Sequence, residues 1–281
     1  QSIFLVAAIE NQHSVTFELD PTQDCFLLEH KQLGRPLLPA VMGLELMSQA
    51  AIAAGQMDAV REIRNFAVSR PASFSSDKRR TFRVAMQSAD NALAAELMAR
   101  HMRPDGRVAD KEREHMRCEL ASEYSTGDPV PLGDRLFPFN PMVYQEEVPM
   151  WHGPAFRTLH GLFMERSGGW GKLIAPDMNT LAAPRGARGW TIPAALLDGC
   201  IVGAAVYSYI MLGMRVEVPM GFDRLRLHAM PDPQEECIVR FMYRSHSESE
   251  TSYDFALYGA DERVLLSLDG LRLSVLVQGR I

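Results

Sequence analysis

Two residues that lie far apart in the chain have surroundings suited to proton transfer. His30 belongs to a segment in which Gly34, Pro36 and Pro39 punctuate the backbone as in a loop, and an apolar helix is predicted to follow directly. A histidine held against apolar surroundings stays neutral near pH 7, and neutral imidazole is the form that acts as a general base. The pattern makes His30 a candidate base; the alternative is an ordinary surface histidine, one of eight in the chain.

Asp198 is the matching candidate acid. It lies in the run Ala-Ala-Leu-Leu-Asp-Gly-Cys-Ile-Val, where every near neighbour is apolar or small. Such surroundings favour the protonated form of a carboxyl group, which a general acid needs. An aspartate near a helix start is also a common N-terminal cap. Residue type and position alone leave the two roles open.

A third stretch, His152–Gly–Pro–Ala–Phe156, has the composition of a site wall. Gly153 permits a close approach of the backbone, Phe156 could supply an apolar surface, and His152 can donate a hydrogen bond to a substrate. The alternative is a plain β-turn followed by a core phenylalanine.

Taken together, these stretches resemble the dehydratase domains of modular and iterative polyketide synthases and of related polyunsaturated fatty acid synthases. The stretches occur in the order that this family shows, and they cover the chain from end to end. They are His30-x3-Gly34-x4-Pro39, the segment His152–Phe156, which is similar to the family's Tyr-Gly-Pro-x-Phe, and Pro193–Ala–Ala–Leu–Leu–Asp198, which is similar to its Pro-x-Leu-Leu-Asp.

The resemblance implies an α+β double hotdog fold, in which two fused units each wrap a curved antiparallel sheet around a long central helix. It further implies that His30 from the first unit and Asp198 from the second remove water from a 3-hydroxyacyl thioester. The substrate would arrive on the phosphopantetheine arm of an acyl carrier protein, and we predict no other cofactor and no metal. Residues expected to contact substrate are Gly34, Pro39, His152, Gly153, Pro154, Phe156 and Val202.

The sequence departs from the commoner family pattern at two positions. His152 stands where modular synthases usually have tyrosine, which looks more like the dehydratases of polyunsaturated fatty acid and enediyne synthases and favours an iterative system. Val202 stands four residues after Asp198, where the family often has Gln or His to orient the acid. Orientation of the carboxyl group must then come from elsewhere or be looser.

Two other functions remain open on this fold. A product-template-like cyclase would use the same His/Asp pair to direct aldol ring closure of a polyketone. A non-catalytic hotdog domain would bind or gate acyl chains, and Val202 would be the leading sign of it. Cys200, beside Asp198, has apolar neighbours and no cationic one, so we expect it to pack rather than to act as a nucleophile.

The composition of the chain limits the classes of binding partner that are expected. The 281 residues carry a net charge of −6 with scattered basic residues, which gives no footprint for nucleic acid or for a membrane surface. The four cysteines form no CxxC pair, which argues against a zinc site or a disulfide framework and fits a reducing cytoplasm. We expect an acyl carrier protein and the other domains of one synthase as partners, and the chain could form a homodimer. Its first residue, Gln1, would suit a domain cut from a longer polypeptide.

The order of predicted elements repeats once along the chain. Pro39 and Pro193 each precede an apolar helix, and Phe66 and Phe222 each follow one, at an offset of roughly 155 residues. The segment 126–133 holds two prolines and two glycines and is the clearest linker. We therefore predict an N-terminal hotdog at 1–125, a linker at 126–140 and a C-terminal hotdog at 141–281.

Strand-length segments fill the remainder of both units. A hairpin is predicted over Ile3–Leu19, and Ala92–Arg103 is interpreted as a strand although its propensity would also allow a helix. Glu45 and Gln49 of the first helix are expected to be solvated or capping. The basic residues Lys78, Arg79, Arg80, Arg185 and Arg188 are expected in solvated loops, with contact to an acidic carrier protein as the alternative.

Overall fold

The structure is a computed structural model that describes residues 5–74, 78–89, 91–102, 108–146, 150–182, 189–214 and 217–275. Its first half contains the strands β1 (Leu5–Asn11), β2 (Ser14–Leu19), β3 (His30–Gln32), β4 (Arg35–Pro36), β5 (Glu62–Val68), β6 (Arg80–Ala89), β7 (Ala92–Met102) and β8 (Val108–Ala121). Its second half contains β9 (Asn140–Pro141), β10 (Met150–His152), β11 (Leu159–Glu165), β12 (Gly168–Ile174), β13 (Glu217–Leu227), β14 (Glu236–His246), β15 (Glu250–Tyr258) and β16 (Val264–Val275). The helices are α1 (Ala40–Ala53), α2 (Met178–Leu181) and α3 (Ala194–Met211), and 3-10 turns lie at Cys25–Leu27 and Pro154–Phe156.

The two halves of the chain build the same sheet twice. The first half has the strand order β1-β2-β6-β7-β8-β5, and the second half has β11-β12-β14-β15-β16-β13, with β9 added outside β11. In each half the strand that follows the long helix, β5 or β13, ends up at the inner edge. This repeated order is the double hotdog fold, and it confirms the predicted repeat. The exact domain boundaries remain a prediction.

The halves are joined where β5 and β13 pair antiparallel, which makes one continuous sheet of thirteen strands. Phe66 and Phe222, which the repeat matched to each other, face one another across this junction with ring centroids 5.0 Å apart. Both rings are buried. Pairing of equivalent residues is what a local two-fold relationship between the halves requires, and it closes the edge that each half-sheet would otherwise expose.

The helix α1 packs against strands of the first half of the sheet, and α3 packs against strands of the second half. Every residue from Val41 to Ala51 is buried, so α1 is surrounded on all faces rather than on one stripe. α3 is long and apolar enough to cross a membrane, but 67% of it is buried inside the protein, as expected for a core helix. Pro39 and Pro193 are the N-terminal caps, as predicted from the position of proline at helix starts.

A second, three-stranded sheet, β10-β3-β4, corrects the prediction that the segment from His30 to Pro39 is a loop. β3 and β4 form a two-residue hairpin in which Leu33 and Gly34 have φ values of 49° and 78°. A turn with two positive φ values is the type that matches the twist of paired strands, and glycine suits its second position. Gly34 thus shapes a hairpin, and His30 begins a strand.

Burial also corrects the placement of three polar side chains. Glu45 and Gln49 are buried, not solvated, because α1 has no exposed face over this length. Arg80 is only 7% exposed and donates hydrogen bonds to the carbonyls of Ser73 (2.6 Å) and Arg100 (2.7 Å), so it lies in no solvated loop. Arg79 is exposed and pairs with Glu18. Arg185 and Arg188 lie outside the described residues.

The other local predictions are largely confirmed. Ala92–Met102 is a strand paired on both sides, by β6 and β8. The hairpin near the N-terminus is β1-β2, which starts at Leu5 in the part of the chain that is described. Phe156 ends a 3-10 turn that begins at Pro154, and the next strand begins at Leu159.

Glu45 connects α1 to the backbone that leads into α3. Its carboxylate accepts hydrogen bonds from the backbone N–H groups of Thr191 (2.9 Å) and Ile192 (2.8 Å) and from the amide of Gln49 (2.8 Å). Burial raises the pKa of Glu45 to about 7, and these donors offset part of the rise. The Glu45 side chain of the first hotdog therefore fixes the backbone segment that precedes α3, the central helix of the second hotdog.

Glu45→Gln should change the pH dependence of stability. Glu45 binds a proton more tightly in the folded than in the unfolded protein. Its proton-linked contribution to folding stability is therefore fully present below pH 4.5 and is lost as the pH rises through about 7. Glutamine does not titrate there, so between pH 4.5 and 7.5 the stability of the wild type relative to the variant should fall by roughly 1 to 3 kcal/mol. Urea unfolding at both pH values tests this. A constant difference would contradict it.

Candidate active site

His30 and His152 are brought together by strand pairing. β3 and β10 pair antiparallel in a register that sets His30 directly opposite His152. Directly paired residues project to the same side of a sheet, and the two imidazole rings meet edge to face with centroids 5.0 Å apart. His30 is only 5% exposed. Two strands of three residues thus place side chains from both halves of the chain in one buried space.

The backbone after His152 is held against the residue before His30. The N–H of Gly153 donates to the carbonyl of Glu29 (2.6 Å), and the N–H of Ala155 donates to the Glu29 carboxylate (3.2 Å). A Cβ atom on Gly153 would lie 2.1 Å from that carboxylate, so a larger residue would have to displace the Glu29 side chain. The backbone at Gly153 lies close to Glu29, and its contact with substrate remains a prediction.

Phe156 packs its apolar ring against His30. Its ring is fully buried and its centroid lies 5.9 Å from that of His30. Pro154, at the start of the same 3-10 turn, is exposed, as is Gly34. Pro39 is buried at the start of α1. Of the residues expected to contact substrate, His152 and Phe156 therefore lie beside His30, whereas Pro154 and Gly34 shape turns whose surfaces face solvent.

Asp198 reaches the pair from α3. It is the fifth residue of the helix, it is 7% exposed, and its Oδ2 lies 3.2 Å from Nε2 of His152. One potential ligand atom from each of His30, His152 and Asp198 lies within 4.8 Å of the others. The helix is capped by Pro193 without a side-chain hydrogen bond, so the alternative of Asp198 as an N-terminal cap is wrong.

Electrostatics make His30 a neutral imidazole at physiological pH. Burial and the neighbouring His152 together lower the pKa of His30 to about 4, although the charge of Asp198 and a hydrogen bond with the Leu37 backbone offset part of the effect. A histidine with this pKa holds no proton on its second nitrogen near pH 7. It can therefore accept one, as the sequence analysis expected of a general base.

His152 supplies the polar contact to Asp198 that residue 202 does not. Val202 is half-buried and packs against the hydrophobic core one helical turn after Asp198. The contact to His152 comes from a different element, and no motif around Asp198 would have shown it. Val202 therefore gives the carboxyl group no polar partner, and the contact comes from elsewhere, from His152.

Sequence reasoning missed two residues that support His152. The guanidinium of Arg157 donates to the carbonyl of His152 (2.7 Å) and also to the carboxylate of Glu146 (2.7 Å). The ring of Tyr144 lies 6.5 Å from that of His152, and its hydroxyl accepts from the N–H of Leu159 (3.2 Å). Burial, together with the charge of Asp198, raises the pKa of Tyr144, so it stays a phenol. Neither residue belongs to a recognisable motif.

Cys200 behaves as predicted for a packing residue. It is buried, and burial raises the pKa of its thiol well above the usual range, so it is not a thiolate at neutral pH. All four cysteines are free.

A surface cavity of about 380 Å³ lies away from the site. It is lined by residues such as Leu132, Lys172 and Ile238, and none of the three site residues lines it.

Gly199, next to Asp198, sets how closely α3 approaches the sheet. A Cβ atom there would lie 2.2 Å from the Thr158 hydroxyl oxygen and 2.9 Å from a Leu173 methyl group. Gly203, four residues later on the same helical face, has its nearest neighbour at 3.6 Å, which is ordinary contact. The Thr158 hydroxyl also donates to the carbonyl of Ala195 (3.1 Å).

Gly199→Ala should therefore displace the helix that carries Asp198. We expect about 1 to 3 kcal/mol lower stability from overpacking, together with a loss of turnover larger than unfolding explains. Gly203→Ala is the matched control, and it should keep its activity and gain up to about 1 kcal/mol from helix propensity. Thermal unfolding and turnover of both variants check this. Equal behaviour of the two would show that the fit at Gly199 does not position Asp198.

Comparisons with known proteins agree with this geometry. Residues 5–100 match the family model described as polyketide synthase dehydratase domain, and residues 145–280 match the one described as polyketide synthase dehydratase N-terminal domain. Comparison with curated proteins finds no match. The two family matches together span most of the chain, and each contains residues of the site.

Solved structures share the fold at low sequence identity. The dehydratase domain of RzxB from Pseudomonas fluorescens is 15% identical with a TM-score of 0.73, over 97% of this chain and 99% of that one. A trans-AT PKS dehydratase domain from Brevibacillus brevis is 14% identical with a TM-score of 0.75, over 98% of each chain. A trans-acyltransferase polyketide synthase enoyl-isomerase, for which no organism is named, is 9% identical with a TM-score of 0.70, over 92% and 98%. With the repeated hotdog sheet and both family matches in place, the chain belongs to the polyketide synthase dehydratase family.

Proposed function

We propose that this dehydratase acts on 3-hydroxyacyl thioesters carried by an acyl carrier protein, with His30 as general base and Asp198 as general acid. The observation that carries the proposal is the meeting of these two side chains, one from each half, in a space where both are more than nine-tenths buried. Removal of water needs a base for the α-proton and an acid for the departing hydroxyl group, positioned on one substrate.

The chemistry balances with these two groups and one water. Neutral His30 takes the proton from the carbon next to the thioester, the carbon–carbon double bond forms, and the bond to the 3-hydroxyl group breaks. Protonated Asp198 delivers its proton to that oxygen, which leaves as water. The enzyme then holds its proton on His30 instead of Asp198, and the proton must return before the next cycle.

His152 is placed to assist in that return. Its Nε2 lies 3.2 Å from the Asp198 carboxylate, and its ring contacts that of His30. An imidazole between a donor and an acceptor can accept a proton on one nitrogen and release one from the other. In this proposal His152 orients the acid and links it to the base.

The fold alone does not choose the reaction, because one structure of similar fold is an enoyl-isomerase. The low pKa of His30 favours a catalytic domain over one that only holds acyl chains, since a binding surface has no need of a desolvated base beside a carboxylate. We further propose the cytoplasm as its location and the other domains of one synthase as partners. Formation of a homodimer by this chain remains a prediction.

His30→Ala and Asp198→Asn should each lower the rate of dehydration by about 10²- to 10⁴-fold. Asparagine matches the shape of aspartate but cannot supply the proton, so the second variant should keep its stability. The assay follows loss of one water mass from a carrier-linked 3-hydroxyacyl chain. His13→Ala, an exposed histidine of the first hairpin, is the matched control and should be unaffected. Near-native turnover of either site variant would remove that residue from the mechanism.

The loss of activity on acidification should begin at an unusually low pH. Protonation of His30 removes the base, and because its pKa is lowered to about 4, kcat/KM should hold through pH 6.5 and fall only towards pH 4. Circular dichroism over the same range shows whether the protein stays folded. A midpoint near 6.5, the ordinary value for histidine, would mean that His30 is solvated in solution or is not the base.

A further inference from the structure

We propose that His30, His152 and Asp198 also form a binding site for a divalent transition metal such as zinc, and that the bound metal reversibly blocks dehydration. The first part concerns the site itself and needs no assumption about the reaction. The second part rests on the proposed function, because it concerns the same side chains. The reaction itself remains one that uses no metal.

The three donors are already close to the spacing that a metal requires. Ligands about 2.0 to 2.1 Å from a tetrahedral zinc ion lie about 3.3 Å from one another. His152 Nε2 and Asp198 Oδ2 are 3.2 Å apart, so this pair has the spacing without any movement. The ligand atom of His30 lies within 4.8 Å of both. It must move inward by at most about 1.5 Å to reach the tetrahedral spacing.

Two of the donors have polar atoms that the described residues leave without a hydrogen bond. These atoms are Nδ1 of His30 and Oδ2 of Asp198, and both are buried. Buried polar atoms without a partner cost free energy, so a ligand that satisfies them gains that amount on binding. The Asp198 oxygen is also the atom that faces His152. The unpartnered Asp198 oxygen therefore lies where a cation shared with His152 would sit.

The donor set selects the class of metal. Two imidazole nitrogens and one carboxylate oxygen suit zinc, cobalt, nickel or ferrous iron, whereas magnesium and calcium take oxygen ligands. Three protein ligands leave at least one open position, as in zinc sites that also hold water. The donors come from β3, β10 and α3, elements that the sheet and the hydrophobic core hold in place, so the site is largely formed before metal arrives.

The residues around His152 fix one of the ligands. The guanidinium of Arg157 holds the carbonyl of His152, and Glu29 holds the two N–H groups that follow it. Groups that fix a ligand in this way raise the affinity of metal sites. A bound metal would take the lone pair of His30 and the oxygen of Asp198, the atoms that proton transfer needs. Loss of activity on binding follows from that competition.

Metal binding is measured on the purified chain without substrate. Zinc is titrated against a chromophoric chelator, and cobalt is added separately to record its visible absorption. We expect one zinc per chain at this site, with affinity lowered at least about 100-fold in His152→Phe and in Asp198→Asn, more than the loss of a supporting residue causes. His13→Ala is the control and should bind as the wild type does. Thermal unfolding confirms that each variant is folded, and Asp198→Asn decides the outcome if His152→Phe is not.

Several results would overturn the site. Unchanged zinc affinity in both site variants would place the metal elsewhere, and so would displacement of zinc by equimolar magnesium. The inhibitory part is tested by turnover with and without zinc, followed by a chelator that should restore the rate. A rate that zinc leaves unchanged or increases would refute inhibition. A chain that binds zinc through these residues but dehydrates no substrate would refute the proposed function and leave the metal site standing.

Discussion

The site depends on the short antiparallel pairing of β3 with β10. Each strand has three residues, yet their register sets His30 opposite His152. It also places the Glu29 carbonyl where it accepts a hydrogen bond from the backbone that follows His152. A shift of one residue would turn either histidine to the opposite side of the sheet. The hairpin turn at Leu33 and Gly34 and the close approach at Gly153 are the local features that permit this pairing.

Larger features of the fold keep the two strands in reach of each other. The halves of the chain repeat one sheet order and meet at β5 and β13, so the central helices lie inside one continuous sheet. Glu45 then links α1 to the backbone before α3, and Gly199 lets α3 approach the start of β11. Asp198 arrives beside His152 as a result. The proposed catalytic pair comes from both halves, so both halves must be held in one arrangement, and these contacts provide it.

The sequence predicts what is local or repeated. Spacing and composition predict the helix starts at Pro39 and Pro193, the strand at Ala92 and the repeat of the unit. The motifs also single out His30 and Asp198, two residues that the structure brings together. The pairing of His30 with His152 could not be predicted, because it joins segments that are far apart in the chain. Glu45 was misplaced for a different reason. A polar residue on a helix is expected to face water, and here the helix has no face that does.

The central claim is that one buried space, formed by both halves, holds the base and the acid on a single substrate. A crystal structure with a non-reactive 3-hydroxyacyl pantetheine mimic tests it most directly. The account predicts the α-carbon beside a ring nitrogen of His30 and the 3-hydroxyl oxygen within about 3 Å of the Asp198 carboxylate, the distance of a hydrogen bond. A mimic bound with its thioester away from both residues, or with the hydroxyl group on His30 and the α-carbon on neither, would contradict it.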